Sequence, residues 1–277
     1  MAALTCAAAA QAADSVGKPR RIVSVNMCTD ELALRLADRD AVASVTWLSQ
    51  DPRNANMADA AAGLPANHGF AEEALSYHPD LVLAGPFTER STVALLGQVG
   101  APVVEFSVPE TLDGVRRQIR EVAAVLGEPE RGDRLVAEID RRLARISLDP
   151  SRPPLRAIIL RPNGFTVGPG SLVDEILRRA GMTNLAATLD IGAYQQISLE
   201  RLALLDADVV IVDSESFGAP SLATEALRHP IVAELSHSMK VVSLPSRLWT
   251  CAGPALVDAV QRLVDATEGA PARETRN

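Results

Sequence analysis

The sequence predicts an α/β protein of two lobes, each built on a parallel sheet, joined by a single long α-helix. Three observations carry this. Short apolar runs of strand length alternate with segments of helical periodicity on both sides of the chain's middle. Between them, Glu128 to Ile146 places Leu135, Val136, Ile139, Leu143 and Ile146 at helical spacing. Finally, Glu72-Glu73-Ala74-Leu75 leading to Asp80-Leu81-Val82-Leu83 returns as Glu200-Arg201-Leu202-Ala203 leading to Asp208-Val209-Val210-Ile211.

The elements follow in order. Arg21 to Val25 reads as a buried strand, and the turn Asn26-Met27-Cys28-Thr29-Asp30 leads into a helix through Leu36, capped by Thr29 or Asp30. Ala41 to Trp47 is a second strand, followed by a polar loop from Leu48 to Gly63. A helix over Glu72 to Tyr77, a strand over Asp80 to Ala84, a helix over Thr88 to Gly97, a strand over Pro102 to Phe106 and a helix over Leu112 to Leu126 complete the first half. Pro129 suits the first turn of the linking helix, and the proline-rich run from Asp149 to Pro154 ends it. The second half has strands at Leu155 to Leu160, Asp208 to Val212 and Lys240 to Leu244. Its helices fall at Ser171 to Ala180, Ser198 to Leu205 and Pro254 to Ala266. The expected domains are a signal-peptide remnant (1–12), an N-terminal lobe (20–127), a connecting helix (128–148), a C-terminal lobe (153–268) and a tail (269–277).

The net charge of -8 and pI near 5.1 argue against nucleic acid or an anionic membrane as partner. No run of about 18 apolar residues spans a bilayer. Ala10-Gln11-Ala12 has the small-x-small form of a signal-peptidase site. Enzyme motifs are missing: there is no P-loop lysine, no G-x-S-x-G elbow and no histidine pair at zinc spacing. Gly168-Pro169-Gly170 reads as a plain turn, and the four histidines are scattered.

Aromatic placement says more. Of nine aromatics, Trp47, Phe70, Phe87, Phe165, Tyr194, Phe217 and Trp249 fall in loops at or beyond strand ends. Open parallel sheets bind ligands outside their strands' carboxyl ends. Two such edges facing each other form a cleft with aromatic walls, suited to a large flat or greasy ligand.

The runs R-I-V-S-V-N-M-C-T-D-E-L, E-E-A-L-S-Y-H-P-D-L-V-L-A-G, G-P-G-S-L-V-D-E-I-L-R-R-A-G-M-T-N-L and D-A-D-V-V-I-V resemble the helical-backbone (class III) periplasmic binding proteins. These serve ABC importers for ferric siderophores, heme and cobalamin, and the resemblance covers roughly residues 20 to 266. It implies two Rossmann-like lobes with a ligand cleft between them, no catalysis, no cofactor beyond the ligand, periplasmic location and a monomer. It also implies that Glu72 and Glu200 dock on arginines of the membrane permease. Its cobalamin-binding branch carries Trp-Gln-Gly before the first docking glutamate, where this chain has Ala66-Asn67-His68-Gly69-Phe70. The expected ligand is therefore a ferric siderophore first and cobalamin or another corrinoid second, with an α/β enzyme as the alternative of another class. In the heme-binding branch, which ligates iron through His or Tyr, His68 and Tyr194 are the residues available.

The ligand residues expected are Asn26, Met27 and Cys28 after the first strand, the seven loop aromatics, and the cations Arg161 and Arg247, with Arg53 and Arg90 as further candidates for an anionic chelate. Cys28 and Cys251 leave three readings open. Foremost is a pair of separate small residues packed near helix starts. The others are an interlobe disulfide, or thiols touching a soft metal or the ligand.

Overall fold

The computed structural model describes residues 17–189, 194–212 and 239–268. The expected signal remnant, Phe217 and the tail lie outside the described residues.

In the N-terminal half, strands β1 (Ile22–Ser24), β2 (Val42–Thr46), β3 (Ala66–Asn67), β4 (Leu81–Ala84) and β5 (Val103–Glu105) form a parallel sheet in the order β3-β2-β1-β4-β5. Helices α1 (Met27–Leu36), α2 (Ala58–Ala61), α3 (Ala71–Ser76), α4 (Arg90–Gln98) and α5 (Leu112–Val125) connect and cover it. The chain steps outward from β1 to β3, then returns to lay β4 on the other side of β1. Between β1 and β4 the winding reverses, and a crevice opens there at the strands' carboxyl ends.

The C-terminal half repeats the plan. Strands β6 (Leu155–Leu160), β8 (Met182–Asn184), β10 (Val209–Val212) and β11 (Lys240–Ser243) form a parallel sheet in the order β11-β10-β6-β8. A separate antiparallel pair joins β7 (Phe165–Val167) to β9 (Tyr194–Gln196). The helices here are α7 (Leu172–Arg179), α8 (Leu199–Ala203) and α9 (Ala255–Thr267).

The linking helix α6 (Pro129–Leu143) has 15 residues, roughly 22 Å. It ends before the sequence pattern does, with Ala144 as its C-cap. It is more than a strut. A Cβ on Gly132 would come within 2.5 Å of the Ala123 Cβ, so the glycine lets α6 lie close against α5. Its buried face of Val136, Ile139 and Leu143 joins a core that takes in Leu32 and Ile119 from the first half and Ile159 and Trp249 from the second. At the far end Arg142 donates to Asp258 of α9 at 2.5 Å. One continuous core under both halves resists hinging more than a free spacer would.

The internal repeat is structural. In each half the strand after the repeated helix pairs with that half's first strand: β4 with β1, and β10 with β6. Asp80 accepts from the backbone N–H groups of Arg20 and Arg21, both at 2.8 Å, and Asp208 accepts from that of Arg156 at 2.7 Å. Each aspartate closes the start of its half's first strand.

Four short strands, β3, β7, β8 and β9, lie where loops or helix stops were expected. The cap of α1 also moves. Asn26, not Thr29 or Asp30, is the N-cap, its side chain accepting from Cys28 N at 3.0 Å. Thr29 and Asp30 are already inside the helix and face inward.

Candidate functional site: a cleft at the strand ends

A cavity of about 360 Å³ opens where the N-terminal strands end. Each strand hands its next residues to the wall: Val25 to Thr29 after β1, Trp47 and Leu48 after β2, His68 after β3, Pro86 and Phe87 after β4, and Phe106 to Pro109 after β5. The opposing side comes from Leu172 at the start of α7 and from Thr250 and Ala252. Of the expected residues, Asn26, Met27, Cys28, Trp47 and Phe87 line this cavity. Among the described residues, its lining contains no lysine or arginine.

Trp47 reaches the cleft because its turn is anchored from below. Asp30 is fully buried on α1, and its Oδ2 accepts from Thr46 N at 3.0 Å, Thr46 Oγ1 at 2.5 Å and Ser49 Oγ at 2.6 Å. These donors bracket the 3-10 turn Trp47–Gln50, which leaves the indole half exposed. Oδ1 of the same carboxyl has no hydrogen-bond partner. Burial pushes the carboxyl up to about 6, against the lowering effect of the neighbouring hydroxyls and the Thr46 amide.

His68 is the wall residue that sequence reasoning placed only loosely. Its position follows from β3, a strand held by two register pairs, Val45↔Ala66 and Thr46↔Asn67, too short to leave a periodic signal. The imidazole lies between Trp47 (ring centroids 6.3 Å apart) and Phe70 (6.5 Å). Its Nδ1 meets Glu73 Oε1 at 3.0 Å, while its backbone N–H donates to Oε2. That backbone bond is the main reason the Glu73 carboxyl sits below its usual range. In the neutral tautomer whose Nδ1–H faces the carboxylate, Nε2 has a lone pair suited to a metal. No cluster of three or more His, Cys, Asp or Glu able to hold a bare ion occurs among the described residues. Phe106 also lines the cleft although it is largely buried; placed inside a predicted strand, it was not among the expected ligand residues.

The C-terminal residues behave differently. Trp249 was expected in the cleft, yet it is only 1% exposed and belongs to the common core. Arg161 lies over its indole, 5.3 Å from the ring centroid, as a cation–π cover. Arg247 donates to Asn56 Oδ1 at 3.2 Å, and its backbone carbonyl accepts from Asn56 Nδ2 at 2.7 Å, so it ties the two halves together. Arg53 forms a multiple ion pair with Asp51 in its own loop, and Arg90 opens α4 outside the lining. Phe165 lies in β7, and Tyr194 enters through its backbone in β9. Phe70 stays 55% exposed beside His68, outside the lining.

Cys28 and Cys251 form a disulfide with Cα atoms 5.0 Å apart. The leading expectation of two separate packed thiols is thus corrected, and both sulfurs are spent, so the soft-metal reading goes as well. The two chain segments were brought together by long-range packing that spacing cannot reveal. Beside the bridge, Asn56 donates to Glu31, and Gly253 packs so close that a Cβ there would be 2.7 Å from Glu31 Oε1. The crossing between halves is therefore covalent at the cleft floor and polar next to it.

Glu72 and Glu200 occupy the same place in their short helices, one residue inside the first turn of α3 and α8, and both are exposed. Neither lines the cleft. No helix among the described residues is long and apolar enough to cross a membrane.

The chain matches the family described as periplasmic binding protein over residues 22–245, and it belongs to that family. A cobalamin-binding protein of Halobacterium salinarum is 26% identical over 258 residues, 90% of this chain and 69% of that protein. The apo periplasmic heme-binding protein RhuT from Roseiflexus sp. RS-1 aligns in structure with a TM-score of 0.71 at 25% identity, covering 89% of this chain and 98% of that one. A periplasmic heme-binding protein from Pseudomonas aeruginosa gives a TM-score of 0.75 at 22% identity, covering 93% and 96%. The fold is that of the class III members: two parallel-sheet lobes with helices on both.

Proposed function

We propose that this periplasmic binding protein delivers a flat, metal-bearing macrocycle of the corrinoid class to an ABC importer. The carrying observation is the chemistry of the cleft wall. Trp47, Phe87, Phe106 and His68 are gathered there, and the described lining offers no cation. A ferric siderophore, the ligand expected first, is in many cases anionic and needs cationic partners. The arginines put forward for that purpose cover Trp249, bridge the halves, pair with Asp51 or lie outside the lining. A corrinoid offers a large ring system and little net charge, which suits aromatic walls. The cobalamin-binding relative from Halobacterium salinarum supports the same choice. Heme is the second reading, favoured by the carboxylate-held His68 with Nε2 directed away from Glu73.

On this reading the protein works as a monomer in the periplasm, without a cofactor of its own. Glu72 and Glu200 meet permease arginines, and carboxylates at helix starts are stabilised there by the helix dipole. The test is tryptophan fluorescence titrated with cyanocobalamin, hemin, ferric citrate and a ferric hydroxamate. Quenching of Trp47 by cyanocobalamin at micromolar concentration or below is expected. Saturable binding of only the ferric chelates would return the assignment to a siderophore, and binding of none would reject the function.

A further inference from the structure

Phe87 sits where the backbone disfavours it. The turn Gly85-Pro86-Phe87-Thr88 is closed by Thr88 N donating to Gly85 O at 3.1 Å and by Gly85 N donating to Thr88 Oγ1 at 3.2 Å. Pro86 at the second position and φ of 70° at Phe87 in the third describe a type II turn, whose third position favours glycine. An aromatic side chain there is strained. The Phe87 side chain gains no packing in return: it is 97% exposed, and it lines the cleft. A bulky residue held at a conformational cost, packed on nothing, has its use in what enters the cleft.

The turn is also held from outside. Asn26 uses both ends of its amide. Oδ1 caps α1 at Cys28 N, 3.0 Å, and Nδ2 donates to Pro86 O at 2.7 Å. Gly85 permits this, since a Cβ there would lie 2.8 Å from the Asn26 amide. Cys28 is in turn bonded to Cys251 across the cleft floor. The Phe87 turn is thus fixed at the β1/β4 switch point to the most tightly anchored part of the cleft.

We propose that Phe87 is a stacking residue for a flat conjugated ligand face, preset by the strained turn, and that Asn26 is the positioning residue that holds it. This rests on the function proposed above, and the experiment separates the two. Thermal melting and titration with cyanocobalamin and hemin are measured for the wild type, Phe87→Gly, Phe87→Ala, Phe87→Tyr, Asn26→Asp and the Asn26→Asp/Phe87→Gly pair. Phe87→Gly should melt a few degrees above Phe87→Ala, because only glycine relieves the positive φ. Both should lose about tenfold in affinity, and Phe87→Tyr should stay within about threefold of the wild type. Asn26→Asp keeps the cap acceptor and loses the donor to Pro86. The double variant should lose no more affinity than Phe87→Gly alone, since both changes remove the same contact. A merely structural Asn26 would give additive losses in that cycle and overturn its role. Wild-type binding that is unchanged in Phe87→Gly overturns the inference alone, whereas a wild type that binds neither probe defeats the function and this inference with it.

Discussion

The two tryptophans of this chain both come after a strand and end in opposite places. Trp47, after β2, is 50% exposed and forms cleft wall; Trp249, after β11, is 1% exposed and forms core. The difference lies in what supports each turn. Under Trp47 a buried carboxylate gathers three donors and holds the turn away from its lobe. Over Trp249 an arginine closes the indole in, and Leu248 and Ala252 beside it are buried too. A strand-end aromatic such as Trp47 therefore stands out into the cleft because its turn is held away from its own lobe. Among the described residues, the N-terminal half supplies most of the cleft lining, and the C-terminal half supplies the partner cysteine of the lock.

The contrast can be broken by mutation. Trp249→Ala should cost about 3–5 kcal/mol of stability, as for other fully buried tryptophans. Trp47→Ala should change stability by no more than about 0.5 kcal/mol while weakening ligand binding. Chemical denaturation of both variants decides this, and similar stability losses would erase the distinction.

The lock comes next in size. Replacing Cys28 and Cys251 together by serine should lower stability by about 2–4 kcal/mol. Small-angle scattering should show little change in radius of gyration on ligand binding with the bridge intact, because α6 is bedded in a core shared by both halves. A large contraction would contradict a pre-formed cleft.

Asp30 sharpens the same point through pH. Its folded value of about 6 stands above the ordinary carboxylate value of 3.8, so the folded state favours the protonated form. The stabilisation from this group is fully present below pH 3.8 and is lost as pH rises through 6. About two units correspond to about 3 kcal/mol. Relative to the wild type, Asp30→Asn should gain about that much stability between pH 3.5 and 7. Parallel stability curves for the two proteins would show that the carboxyl does not titrate as described.

Smallest in the isolated protein is the effect of reversing Glu72 and Glu200 to lysine. Ligand affinity and melting should barely move, while uptake with the cognate permease should fail. Lost ligand affinity would place these residues in the binding surface instead of on the docking face.

Much of this fold was legible because its longer elements carry a signal: the strands of Leu81, Leu155 and Val209 are apolar runs, and helices α5, α6 and α9 have apolar residues at helical spacing. The two- and three-residue strands β3, β7, β8 and β9 have too few residues to show alternation. Missing β3 meant placing His68 only loosely, since that strand carries position 68 to the cleft edge. Asn26 through Cys28, Trp47 and Phe87 were legible as residues just past strand ends. Trp249, Arg161 and Arg247 were not, because residues past a strand end go to core or cleft according to packing from distant parts of the chain. The disulfide is another case, its halves 223 residues apart in sequence.

On the proposed function, an uncharged aromatic wall does the binding. The most direct test is calorimetric titration of cyanocobalamin, with ferric citrate as the anionic comparison, at low and high salt. Affinity for cyanocobalamin that stays within about twofold from 0.01 to 1 M salt, with ferric citrate failing to bind, is the predicted result. Tight ferric citrate binding that weakens steeply with salt would contradict it and put cations, not aromatics, at the heart of the site.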